Sequence, residues 1–238
     1  MTIPSGSLSL LVAMPLFAVP LVAADAGPIA RWDFGTEEPS PLVARGDIVR
    51  DQAGPRPPEF PSLDRDNMAV RLPGDGARFE IKDTGAGSPY DFTNGDAITL
   101  EAWIKVESLR PGQPAYIVGK GRTHSPRFSR DNQNWSLRVV GAQNGLAQLG
   151  FLFTSQLPDA APRWHRWTSD AAFEISSGWH HIALAYEFGK PETMRGWIDG
   201  LPTEGQWDVD GPTSDPPVVD DDDVWIGSSL NGNPGNSL

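Results

Sequence analysis

The sequence predicts an all-β protein, a two-sheet antiparallel jelly-roll sandwich. Three observations predict it. Ile98 to Val106 (ITLEAWIKV) sets Ile98, Leu100, Ala102, Ile104 and Val106 on one face and Thr99, Glu101, Trp103 and Lys105 on the other. This is the period of a half-buried strand. Short apolar segments of the same kind recur along the chain between turn residues, and 25 Gly and 23 Pro suit many strands joined by turns. No segment carries a helical stripe.

The elements follow in order. Leu8 to Ala24 (LSLLVAMPLFAVPLVAA) is apolar and closes on small residues, the pattern of a leader cleaved after Ala24. Pro15 and Pro20 and its short length argue against a stable membrane span. Residues 25–64 then hold an expected strand, Ile29 to Phe34, and a Pro-rich surface loop, Gln52 to Ser62. The sandwich itself is expected over residues 65–238. Ala69–Leu72 and Arg78–Ile81 flank Pro73-Gly74-Asp75-Gly76 and read as a hairpin, since Asp-Gly supplies positive-φ positions. Strands are further expected at Ala115–Gly119, Asn134–Val140, Ala147–Phe153, Trp179–Phe188, Arg195–Ile198 and Val224–Gly227, with an Asp199-Gly200 turn. Two long loops, Lys120 to Gln133 and Thr154 to Ser169, interrupt the pattern, and long loops on a rigid sheet are where binding residues sit.

Composition narrows the function classes. A chain of 238 residues with 39% apolar content holds one large β domain. Its net charge of −12 argues against nucleic acid as a partner, which needs a basic footprint. The absence of cysteine excludes disulfides, thiolate catalysis and Cys-based zinc sites. Nine Trp serve sandwich cores and sugar-stacking surfaces alike.

Several segments resemble, in order, those of laminin-G/pentraxin-like jelly rolls of the concanavalin A-like lectin/glucanase superfamily. They are Ala69–Ile81 (AVRLPGDGARFEI), Phe92–Val106 (FTNGDAITLEAWIKV), Tyr116–Gly121 (YIVGKG), Trp135–Val139 (WSLRV), Leu149–Phe153 (LGFLF), Gly178–Tyr186 (GWHHIALAY), Gly196–Gly200 (GWIDG) and Val224–Ser228 (VWIGS). GWHHIALAY with GWIDG is the most specific pairing. The resemblance implies a concanavalin A-like sandwich and, more loosely, a module of a large exported bacterial protein. In this family a further strand, of the form G-x-I-D-E with an aliphatic and Tyr, follows the WIGS-like one, whereas this sequence stops at Asn236-Ser237-Leu238. The expectation is a jelly roll truncated before its closing strand, with an unpaired edge. The family's calcium ligands vary too much to be carried over.

Candidate sites lie at two poles. Six arginines (Arg122, Arg127, Arg130, Arg138, Arg163, Arg166) stand against Asp131 and Asp159 between positions 122 and 166, a local charge of +4. Trp164 and Trp167 flank His165-Arg166. Aromatic faces stack on sugars and guanidinium forks match carboxylate or sulfate, so Arg122, His124, Arg127, Arg130, Trp164, His165, Arg166 and Trp167 are the candidate glycan-binding set. The rival reading has these loops neutralising the acidic segment. That segment, Asp199 to Asp223, carries nine carboxylates and no Lys or Arg. Asp220, Asp221, Asp222 and Asp223 read either as a Ca2+ site or as a solvated acidic loop. His180-His181 cannot share one metal, because adjacent strand residues face opposite ways. Asn134-Trp135-Ser136 fits a glycosylation sequon, but Trp135 reads as core.

Catalysis finds no support. Sugar-cleaving relatives alternate carboxylates on one strand (E-x-D-x-E), and neither that triplet nor a G-x-S-x-G occurs. The sequence therefore reads as a non-catalytic binding module for a glycan or polysaccharide. The alternative is a structural spacer contacting neighbouring domains of a longer protein, and a glycoside hydrolase ranks below both.

Overall fold

A computed structural model describes residues 27–35, 42–123, 132–230, 232–234 and 237. The leader, and with it the expected cleavage point, lies outside the described residues. Residues 27–31 form a separate unit without regular structure. The rest is built from fourteen strands. They are β1 (Val43–Arg45), β2 (Val49–Ala53), β3 (Met68–Arg71), β4 (Arg78–Ile81), β5 (Ala97–Ile104), β6 (Pro114–Gly121) and β7 (Gln133–Gly141). There follow β8 (Leu146–Ser155), β9 (Arg163–Glu174), β10 (His180–Glu187), β11 (Lys190–Ile198), β12 (Leu201–Thr203), β13 (Gly205–Val209) and β14 (Val224–Ile226). A 3-10 turn, Gln143–Gly145, joins β7 to β8.

Eight strands form one sheet in the order β1-β4-β14-β6-β7-β8-β9-β13, and four form a second, β12-β11-β10-β5. All pairings are antiparallel. A small third sheet pairs β2 with β3. Between the two main sheets, Leu149, Phe151 and Phe153 of β8 meet Ile182, Leu184 and Tyr186 of β10 in one core cluster. The Phe151 and Tyr186 rings lie 5.4 Å apart and Tyr186 and Trp207 5.5 Å apart. These are offset and edge contacts of the kind aromatic rings favour. The alternation expected for Ile98 to Val106 holds: Ile98 and Ile104 are buried while Thr99 and Glu101 are exposed.

Three expectations are corrected. Ile29 to Phe34 is not a strand. Asp33 instead accepts a hydrogen bond from the Gly35 N–H at 3.0 Å, turning the chain, and Phe34 stacks on Phe79 at 5.3 Å. Its aromatic residues are used for packing instead of a ladder. Secondly, the segments either side of Pro73–Gly76 are strands, but they do not pair. β3 joins β2, while β4 lies between β1 and β14. The Asp-Gly step still turns as expected, with Asp75 accepting from Ala77 N–H at 3.1 Å and Gly76 at φ +99. Local turn chemistry does not decide which sheet the next strand enters. Thirdly, the Thr154–Ser169 segment is mostly strand: β8 runs to Ser155 and β9 begins at Arg163. Asp199-Gly200 does form the expected hairpin, with both residues at positive φ between paired Ile198 and Leu201.

A buried ion cluster fixes the loop after β4. The fully enclosed Lys120 ammonium donates to Asp83 at 2.8 Å and also to Asp91. Burial pushes the Asp83 carboxyl up, but hydrogen bonds from Lys120, Ser88 and the Gly85 N–H outweigh it and hold the carboxyl below its ordinary value. Asp83 thus adds stability above the ordinary carboxylate range, and this is lost as pH falls through its lowered folded value.

Two stability measurements follow from this packing. The ideal Cβ of residue 196 would lie 2.6 Å from Trp167 Cη2, so Gly196→Ala should lower stability by about 1–3 kcal/mol in urea unfolding, without changing the secondary structure. Lys120→Met leaves the enclosed Asp83 carboxylate without its cation. It should cost about 3–5 kcal/mol at pH 7, and the gap to wild type should narrow as the variant's carboxyl protonates at acid pH.

Candidate functional site

The eight-stranded sheet has an inner face, toward the core, and an outer face. Trp135, Leu137 and Val139 of β7 point inward, so Asn134, Ser136, Arg138 and Val140 point out. Cross-strand register then builds the outer face in rows. One runs Glu80, Trp225, Gly119, Ser136, Leu152, Arg166 across β4, β14, β6, β7, β8 and β9. The next runs Tyr116, Arg138, Gly150, Thr168, Gln206. Beyond them Thr154 pairs with Trp164.

Some of the residues expected from sequence meet on this face. Arg122, just after β6, places its guanidinium 5.1 Å from the centre of the Trp164 ring, a cation–π contact between the two segments expected to form the site. Arg166 projects from the same face and makes a two-pronged pair with Asp208, at 2.7 and 2.9 Å. His165 and Trp167 do not join them. They point inward, 0% and 3% exposed, because alternation along β9 separates them from Trp164 and Arg166. The imidazole bonds Ser155 Oγ and the Gly211 carbonyl, each at 2.8 Å, so its role is structural. His124, Arg127 and Arg130 lie outside the described residues.

Arg138 was not among the expected site residues. It is only 5% exposed, and among the described residues no carboxylate pairs with it. Burial first, and then the neighbouring charges of Arg122 and Arg166, bring its pKa down to about 10. Burial likewise pushes the neighbouring Tyr116 phenol up. The sequence signal was present: Arg138 alternates with the apolar Leu137 and Val139.

The acidic run diverges. Asp222 accepts from the Thr123 hydroxyl and from the Asp223 N–H, while Asp223 faces Lys82 and the Asp83 N–H. Asp220 accepts from the Asp222 N–H at 3.1 Å. Burial raises the Asp222 carboxyl above its ordinary value. Among the described residues no group of three or more His, Asp or Glu side chains is placed to hold a metal ion. The Arg166–Asp208 pair shows that the basic and acidic segments partly neutralise one another.

His180 and His181 face opposite ways, as the strand geometry required. His181 lies against Trp103, ring centres 5.2 Å apart. His180 bonds Asp199 Oδ2 at 2.7 Å and Ser177 Oγ at 2.8 Å, an arrangement the sequence reading did not foresee. The atoms line up as in a serine hydrolase, but Ser177 donates its proton to the Glu174 carbonyl. Asp199 also accepts from the His181 N–H at 2.9 Å. The group clamps the turn before β10 to the β11–β12 turn. Asn134, the sequon asparagine, is buried and donates to the Val218 carbonyl at 3.0 Å.

Among the described residues, the outer-face carboxylates Glu80 and Asp208 do not meet. Glu80 pairs with Arg45 and Arg78, and Asp208 with Arg166. Six strand spacings separate β4 from β13, about 29 Å along the sheet at roughly 4.8 Å each. Acid and nucleophile or base must lie within about 5–9.5 Å.

Two stacked antiparallel sheets in this order define a jelly-roll sandwich. The model described as "Concanavalin A-like lectin/glucanases superfamily", of laminin-G type, matches residues 74–237, and the chain belongs to this family. Among solved structures the chain is similar to the Emp47p carbohydrate recognition domain in a monoclinic crystal form, at 11% identity and a TM-score of 0.38. That match covers 82% of this chain and 90% of the other, and it is too loose to carry residues across. A search of curated proteins finds no match. Among the described residues no helix is long and apolar enough to cross a membrane.

Proposed function

We propose that this domain is a non-catalytic carbohydrate-binding module of an exported protein, which holds glycan against the outer face of the eight-stranded sheet. The observation that carries this reading is the Arg122–Trp164 contact, with Arg166 on the same face. A Trp ring offers a flat apolar surface to the C–H face of a sugar, and a guanidinium resting on it limits its rotamers and supplies donors for hydroxyl oxygens. Membership of a superfamily of lectins and glucanases supports the same substrate class, and the separated, paired carboxylates favour binding over cleavage. Export rests on the apolar Leu8–Ala24 leader.

Two measurements test this reading. Secreted protein subjected to N-terminal sequencing should begin at Asp25; a chain beginning at Met1 would show retention of the leader. On a polysaccharide panel the domain should bind at least one glycan without cleaving it, and Trp164→Ala should lower that affinity by on the order of tenfold or more. If no glycan binds at millimolar sugar, the domain acts instead as a spacer between neighbouring domains.

A further inference from the structure

Four strands end the two main sheets, and three of them are guarded. β1 and β12 are three residues long, β12 carries Pro202, and β13 breaks register between Trp207 and Val209. Short edges, proline and bulges are the usual means of stopping a free edge from pairing. β5 has none of them. Its eight residues keep unbroken register with β10, contain no proline and carry a single charge, Glu101. Among the described residues no strand pairs with its other side.

The phase of the ladder determines which groups that edge presents. The Phe188 N–H donates to the Asp96 carbonyl at 3.0 Å, next to the Glu187–Ala97 pair. Alternation then turns the N–H and C=O of Ile98, Leu100, Ala102 and Ile104 toward β10. Those of Ala97, Thr99, Glu101 and Trp103 face the open edge. All four of these residues are exposed, and their backbone groups have no hydrogen bond among the described residues. The core thins at the same place. Leu100 and Ala102 are half-buried, whereas Leu184 and Ile182 opposite them on β10 are fully buried.

We propose that β5 pairs antiparallel with β5 of a second copy about a two-fold axis at Leu100, joining two four-stranded sheets into one. Outward side chains must lie beside outward ones, since a one-residue slip would turn the core residues to solvent. Centring on Leu100 meets this condition and engages all four edge residues. Ala97 lies opposite the second copy's Trp103, and Thr99 opposite its Glu101. The two half-buried Leu100 side chains then cover each other. Centring on Glu101 would set two carboxylates face to face, which is unfavourable, and centring on Thr99 would leave Trp103 unpaired. The interface is isologous, as a two-fold dimer requires. It leaves the outer face of the long sheet untouched, so it stands or falls apart from glycan binding.

Sedimentation equilibrium from micromolar to millimolar protein should show monomer and dimer, in a weak equilibrium because one strand edge is a small interface. Thr99→Glu places a carboxylate opposite the second copy's Glu101 and should raise the dimer Kd at least tenfold. Adding Glu101→Lys to that variant should restore the dimer. Because the chain has no cysteine, Leu100→Cys gives one thiol per copy. A non-hydrogen-bonded pair brings its Cα atoms to about 4.5 Å, within disulfide range, so oxidation should trap a covalent dimer. Thr99→Cys, displaced from the axis, should not be trapped. In the wild type, amide exchange at Thr99, Glu101 and Trp103 should slow as concentration rises, with Leu100 and Ala102 unchanged. A wild type that stays monomeric at millimolar concentration overturns the proposal and leaves the edge to a strand of another protein. A dimer that Thr99→Glu does not weaken and Leu100→Cys does not trap also overturns it. Should Leu100→Cys not fold, wild-type exchange decides: equal exchange at Thr99, Glu101 and Trp103 in dilute and concentrated protein overturns the pairing.

Discussion

Trp167 pressed onto Gly196 is the contact on which the rest of this molecule depends. Its ring also covers Gly205, so one inward tryptophan sets the distance between β9 and β11. Because side chains alternate along a strand, fixing Trp167 inward fixes Arg166 and Trp164 outward. The same pinning carries through the register to β8 and β7, placing Leu152, Gly150 and Arg138 on the outer face. The core and the candidate site are two sides of one decision.

Charge is distributed unevenly about that frame. The chain is strongly acidic, yet its excess carboxylates are largely used in place. Asp208 holds Arg166, Asp199 holds the turn at His180, and Asp222 and Asp223 act as acceptors for Thr123, Lys82 and backbone N–H groups. What reads in sequence as a self-repelling run is, in space, a set of side chains pointing to different donors. The basic side chains, in contrast, gather on one sheet face, where Arg122, Arg138 and Arg166 feel one another.

How much of this was legible follows from the range of each interaction. The sandwich could be read because the pleat writes itself into Ile98–Val106 and Trp135–Val139 with no reference to distant residues. Within β9 the alternation was hidden, because Arg163-Trp164-His165-Arg166-Trp167 mixes polar and aromatic types on both faces. His165 is inside only because Ser155 and the Gly211 carbonyl satisfy its nitrogens, and no local pattern announces such partners. Pro73–Gly76 could be read as a turn, but the sheet receiving β4 depends on β1 and β14, far away in sequence. Arg122 and Trp164 could be named from the two long loops, but their meeting and the burial of Arg138 depend on how β6, β7 and β9 lie side by side.

The enclosed Lys120 has a consequence for chemistry done on the protein. The chain has only four lysines, and Lys82, Lys105 and Lys190 are exposed. Lys120 has no exposed side-chain surface, and both of its acidic partners are at least largely enclosed. An acylating reagent will mark three lysine side chains on the native domain, besides the chain's α-amine, and reach Lys120 only when the sandwich opens at that end. The rate at which Lys120 is labelled is thus a direct clock for opening, written into the sequence without any engineered probe.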